Sequence, residues 1–175
     1  MSKYNDIRSQ IQDGDLIFFK NGKGIVSETI RYVTRSKYSH CGILFWMDVH
    51  NDAISDPRLC LIEQMAFNRR IVNMSAEVLK DFDIIRTPIK FSSYANKLIE
   101  GVGAVPYSIP DLLSIGLLEA FNIKTENHPG QVCSEMVGEI MKEAGLIKAS
   151  FVSPKKLVQE LLNTGKCNII FDVEV

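Results

Sequence analysis

The sequence predicts an α+β fold, a largely antiparallel sheet or small barrel packed against helices. Three observations carry this expectation. Segments with strand character crowd residues 16–86, and the helical ones follow instead of alternating with them. The two strongest strands, 39–47 and 59–65, flank a polar connection, as in a hairpin centred near residue 52 or 53. Apolar residues at Val132, Met136, Val137, Ile140, Met141 and Ala144 recur with the period of a helix.

Residues 2–12 read as a short helix or an irregular arm. Asp13-Gly14-Asp15 is a turn, and Leu16 to Lys20 is a strand rich in β-formers. Asn21-Gly22-Lys23-Gly24 is a loop whose glycines match no phosphate-binding spacing. Ile25 to Val33 has a weak helical pattern, and Arg31, Arg35 and Lys37 read as a solvated face. In Ser39–Met47, His40, Gly42, Leu44 and Trp46 share one face; Cys41, Ile43, Phe45 and Met47 share the other. Apolar residues on both faces predict a central strand. Leu59 to Met65 carries Glu63 on the face of Leu59 and Leu61, where a carboxylate needs a partner.

Arg69–Met74 and Phe82–Arg86 complete the early strands, with Ser75 capping a helical turn between them. Ser92 or Ser93 is placed to cap a helix that ends near Gly101-Val102-Gly103. Val102–Ile123 is apolar but broken by Pro106 and Pro110, so it is either a lid or a core helix, not a membrane span. Asp111 is placed to cap a helix running to Phe121. Pro129 and Gly130 precede the helix that starts near Cys133, and Gly145 follows it as a stop signal. Ser153-Pro154 starts another helix with Leu157, Val158, Leu161 and Leu162 inward, and Asn168–Val173 is a last strand.

The 175 residues suit one domain over 1–175. With 46 % apolar and 23 % charged residues, the chain has the balance of an ordinary globule. A net charge of -1 gives no electrostatic case for nucleic acid or an anionic membrane as partner. The four cysteines form no C-x-x-C pair, so neither a disulfide framework, a metal site nor a cofactor is expected. The polar N-terminus lacks the apolar core of a signal peptide, which places the protein in the cytoplasm unless a separate route exports it.

Cys133 falls in the first turn of its helix, on the inward face. The positive end of the helix dipole and free N–H groups there favour thiolate over thiol. A small buried core residue is the alternative, since free cysteine is commonly buried. His40 sits at the start of its strand on a buried face. In the hairpin, residues whose numbers sum to about 104–106 oppose each other. His40 and Glu63 are then close neighbours, which gives the carboxylate a partner and the imidazole an orienting group. A one-residue slip brings Gln64 inward instead. Cys41 points away from His40 and is not paired with it.

A thiol, a histidine and a carboxylate make the arrangement of thiol hydrolases, in the chain order histidine, acid, cysteine. That order resembles the circularly permuted branch of the NlpC/P60 papain-like superfamily, the YiiX/YebB-like group, whose cousins include lecithin:retinol acyltransferase-like proteins. The resemblance rests on Gly14-Asp15-Leu16-Ile17, Tyr38-Ser39-His40-Cys41-Gly42-Ile43, Leu61-Ile62-Glu63, Val132-Cys133-Ser134-Glu135-Met136-Val137, and Ser153-Pro154 with Leu157. It implies Cys133 as nucleophile, His40 as base, Glu63 as the group orienting His40, and the Cys133 N–H in an oxyanion hole. It also implies Tyr107 and Tyr38 as substrate-binding residues. Cys41 stands where the group usually has a small hydrophobe and is expected to be neutral for chemistry. The function expected is a cysteine peptidase or amidase acting on a peptide, with cell-wall peptides the usual substrates of the superfamily. A thiol acyltransferase acting on a lipid amide or ester, with Val102–Ile123 as acyl pocket, is the alternative. A binding protein that has kept the fold without activity is the third.

Overall fold

A computed structural model describes residues 3–20, 28, 31–32, 34–48, 50–51, 54–55, 57–65, 68–77, 80–106, 131–149 and 153–174. The protein is α+β. Its main sheet has six strands in the order β6-β5-β2-β1-β7-β8, every pairing antiparallel. The strands are β1 (Leu16–Lys20), β2 (Tyr38–Met47), β5 (Arg58–Gln64), β6 (Arg69–Asn73), β7 (Phe82–Arg86) and β8 (Asn168–Val173). A two-stranded extension, β3 (His50–Asn51) with β4 (Ile54–Ser55), carries the β2–β5 hairpin outward. Among the described residues the helices are α1 (Lys3–Arg8), α2 (Ala95–Glu100), α3 (Cys133–Glu143) and α4 (Pro154–Asn163). Among the described residues no helix is long and apolar enough to cross a membrane.

Alternation along the strands sorts the buried residues into two cores, one on each face of the sheet. Leu16, Phe18, Cys41, Ile43, Phe45 and Ile62 pack against α3 and α4. Ile17, Phe19, Leu44, Leu61, Phe82 and Ile84 pack with Ile7 and Ile11 of the N-terminal arm. β2 is therefore central and covered on both sides. Its hairpin with β5 pairs Gly42 with Glu63 and Leu44 with Leu61, the register expected from the loop centre.

Gly14-Asp15 owes its place to the sheet rather than to chemistry. Gly14 has φ +87°, and a Cβ there would meet the Ile89 carbonyl at 2.4 Å. Its N–H bonds the Leu44 carbonyl at 2.9 Å, and the Leu44 N–H bonds the Asp15 carbonyl at 2.8 Å. The buried Asp15 carboxylate accepts from Gln12 N at 2.8 Å and from Arg86 Nε at 2.7 Å. The motif thus ties the start of β1 to β2 and β7. Gly42 is demanded by close approach: a Cβ would lie 2.5 Å from Leu61 Cδ1 and 2.6 Å from the Ile62 carbonyl.

Several local expectations change. Asn73, not Ser75, caps a 3₁₀ turn at Met74–Ala76; its Oδ1 accepts from Ser75 N at 3.1 Å. Ser92 and Ser93 lie inside a second 3₁₀ turn, Phe91–Ser93, and α2 starts after Tyr94 without a side-chain cap. Lys37 is not merely a solvated charge, since its ammonium lies 2.9 Å from the buried Asp83 carboxylate. Of the apolar stretch 102–123, residues 102–106 are described; Val102 bridges Arg69, and Gly103 N bonds the Arg69 carbonyl at 2.9 Å. The rest of that segment, with the Asp111 helix, and most of the expected Ile25–Val33 helix lie outside the described residues.

Candidate active site

α3 begins at Cys133 after Val132, whose backbone is extended. Val132 offers no side-chain acceptor for the first-turn N–H groups, and its own N–H is met by Glu135 Oε2 at 3.4 Å. The helix start therefore keeps its positive end directed at the Cys133 sulfur. Met136, Val137, Ile140 and Met141 are buried on the sheet and anchor the helix. Gly145, with φ +70°, follows its end.

The ladder between β2 and β5 ends at Gly42 and Glu63, so His40 and Cys41 lie beyond its last pair. There the start of α3 meets β2. The Cys133 thiol lies close enough to Cys41 and to the His40 side chain for both to act on its ionisation. Strand alternation puts Cys41 on the face toward α3 and His40 on the other, and both act on the Cys133 thiol at the end of the β2–β5 ladder.

His40 Nε2 lies 2.7 Å from Glu63 Oε2, which leaves Nδ1 as the nitrogen for the thiol. The imidazole stacks on Phe19, with centroids 5.7 Å apart and planes at 19°. Glu63 is 1 % exposed. Its other oxygen, Oε1, accepts from Arg70 Nε at 2.8 Å and Arg70 Nη2 at 2.6 Å. Arg70 stands directly opposite Glu63 on β6.

These contacts fix the charges. The hydrogen bond from Cys41 holds the Cys133 thiol well below its ordinary range; burial opposes this, and the charge and hydrogen bond of His40 add to it. Burial alone would make His40 neutral, but the Cys133 thiolate and Glu63 outweigh it and push the imidazole up to about 10. Burial likewise works against Glu63, yet His40 and Arg70 keep its carboxyl below the usual range. These directions favour a thiolate at Cys133 beside an imidazolium at His40, with Glu63 ionised. Burial, with the hydrogen bond and negative charge of Cys133 and the charge of Glu63, pushes the Cys41 thiol up, so it stays protonated.

The structure brings Cys133, His40 and Glu63 together. Gln64 does not share the site, because its Nε2 donates to the Val105 carbonyl at 2.9 Å. Tyr38 opens β2 two residues before His40 and is buried, with its hydroxyl donating to Asp83 at 2.6 Å. In this structure that hydroxyl serves the ion cluster of Asp83, Lys20 and Lys37. Tyr107 lies outside the described residues. Two neighbours of the site escaped the sequence reading. Period-two alternation turns Cys41 away from His40, and the same alternation faces it toward α3. Arg70 was legible as the cross-strand partner of Glu63, had the Glu63–Arg70 turn been counted as a hairpin. No protein-family model matches the chain, and no curated protein matches it.

Glu63→Gln is expected to keep the fold and slow turnover. The amide still accepts from His40 but cannot stabilise the imidazolium, a loss of about 1.5–3 kcal/mol for a charged hydrogen bond, or roughly ten- to hundredfold in rate. Gln64→Ala is expected to leave any turnover near wild type and to lower thermal stability instead. Steady-state rates beside melting curves check both, and a severe rate loss in Gln64→Ala with a silent Glu63→Gln contradicts the assignment.

Proposed function

We propose that the protein is a thiol hydrolase of amide bonds, built as a circularly permuted NlpC/P60-like domain. The observation that supports this reading best is the chain of contacts from Cys133 through His40 to Glu63, with the sulfur at a helix start. In the proposed reaction the Cys133 thiolate attacks the substrate carbonyl. The developing oxyanion takes a hydrogen bond from the Cys133 N–H. His40 gives its Nδ1 proton to the leaving amine, and the C–N bond breaks to leave a thioester on Cys133. Neutral His40 then takes a proton from water, whose oxygen attacks the thioester. The acid departs and the thiolate–imidazolium pair is restored. Glu63 accepts from Nε2 throughout, which keeps the tautomer and the ring plane fixed.

Cell-wall peptides are the substrates this reading favours. In an acyltransferase the same thioester would pass to a hydroxyl or amine in place of water, and a lipid would be the donor. Incubation with peptide amides and with lipid amides or esters, acid quench and mass measurement of the peptide bearing Cys133 tests the proposal. A peptide-derived acyl mass on Cys133 is the expected result. A fatty-acyl mass alone favours the transferase, and no adduct from either class refutes a covalent enzyme of this kind.

A further inference from the structure

Arg70 is 41 % exposed at its side chain, yet both its contacts to Glu63 fall on a carboxylate that is 1 % exposed. The two oxygens of Glu63 are divided: Oε1 goes to Arg70 and Oε2 to His40. Arg70 also reaches Glu77 at 4.0 Å, and Lys80 pairs with Glu77. The Lys80 ammonium lies 5.1 Å from the centroid of Phe19, the ring on which His40 stacks. The charges along this side of the site therefore alternate, from Cys133 through His40, Glu63, Arg70 and Glu77 to Lys80.

We propose that Arg70 is a positioning residue for His40, acting through Glu63: it claims Oε1, aims Oε2 alone at His40 Nε2, and moderates the negative charge that the imidazolium feels. This inference rests on the thiol-hydrolase reading for its purpose. A general acid must release its proton to the leaving amine. An imidazolium facing an undivided carboxylate and a thiolate would hold that proton too tightly. The guanidinium draws on Glu63 from the far side and weakens that hold, and its two donors on Oε1 occupy that oxygen more fully than a single ammonium would. The groups facing the His40–Glu63 pair are Cys133 from α3, Cys41 from β2, Arg70 from β6, and, behind Arg70, Glu77 and Lys80. Removing Arg70 takes away one positive charge and leaves His40 as the one cation bonded to Glu63 among the described residues, so His40 gains proton affinity. Solvent screening of a half-exposed side chain limits the gain.

The test is an NMR titration of the His40 imidazole in the full chain carrying Cys133→Ser, with Arg70 intact, as Arg70→Gln and as Arg70→Lys. Arg70→Gln is expected to raise the His40 midpoint by about half a unit to one unit, a roughly three- to tenfold gain in proton affinity. Arg70→Lys should move it in the same direction by less than half as much. An unchanged or lowered midpoint in Arg70→Gln overturns the proposal. If Arg70→Gln does not fold, the Arg70→Lys shift carries the test and its absence overturns it. With no thiol at position 133, the titration reads Arg70 independently of whether the protein turns over any substrate. In the enzyme with Cys133 restored, Arg70→Gln should lower turnover while preserving thiolate alkylation at mildly acidic pH, a split that a purely structural role would not give.

Discussion

Cys133→Ala removes every covalent adduct that a substrate or a mild electrophile forms at the site, and turnover falls by at least about 10⁴-fold. The other cysteines do not substitute for it. Burial raises the pKa of Cys41, Cys60 and Cys167, so each stays protonated near neutral pH. Cys41 is next to the missing sulfur but sits on a strand, without the helix start that serves Cys133. The fold survives because alanine fills most of the volume at a helix position that still has Met136, Val137 and Ile140 to anchor it. His40 loses the thiolate that most favours its charge, so its pKa drops from about 10. Intact-mass spectra after incubation with substrate or iodoacetamide check the result; an adduct of wild-type size on Cys133→Ala contradicts it.

His40→Ala is expected to be nearly as severe, for a different reason. In the proposed reaction the imidazolium both stabilises the thiolate and supplies the proton for the leaving group. Without it the Cys133 thiol keeps its hydrogen bond from Cys41 but loses the charge and hydrogen bond of His40, so its pKa rises and its thiolate fraction at pH 6.5 falls, by roughly tenfold or more. Alkylation slows by that factor, and turnover falls further because nothing protonates the amine. The buried Glu63 does not become an unpaired charge, since Arg70 keeps its two contacts to Oε1. Thermal stability should therefore fall modestly while chemistry is lost. A His40→Ala protein that alkylates at the wild-type rate at pH 6.5 would show that His40 has no part in activating the thiol.

The strand pattern carried much of this site. A carboxylate on an apolar face required a partner, and the loop centre near residue 52 placed Glu63 within reach of His40; Gly42 now pairs with Glu63. The helical period of 132–144 gave Cys133 its inward phase, and Ser153-Pro154 gave α4 its start, with Ser153 Oγ accepting from Lys156 N at 3.3 Å. What the pattern missed were contacts that depend on where the ladder stops. Period-two alternation sets His40 and Cys41 on opposite faces, and nothing in it says that β2 outruns β5 at Gly42. Cys133 acts on both residues at the point where β2 runs on past its last pair with β5. Caps were legible by type and not by position: Asn73 serves the turn assigned to Ser75, two residues later. The Gly14-Asp15 signature was legible as a motif, but its work, joining β1 to β2 and β7, needs the three-dimensional bonds of Asp15 to Arg86 and Leu44.

The central claim is a Cys133 thiolate paired with a His40 imidazolium near neutral pH, and the pH dependence of iodoacetamide alkylation at Cys133 tests it most directly. Cys133 is 1 % exposed, so local opening scales the absolute rate, but the shape of the profile still follows the thiolate fraction. A depressed thiol pKa places the midpoint well below the ordinary 9.0, with Cys41, Cys60 and Cys167 unmodified over the same range. Turnover should share that acid limb and then fall as His40 loses its proton near pH 10. A single alkylation midpoint at or above 9.0, with all four cysteines labelled alike, would mean that no ion pair exists and that Cys133 is a core thiol.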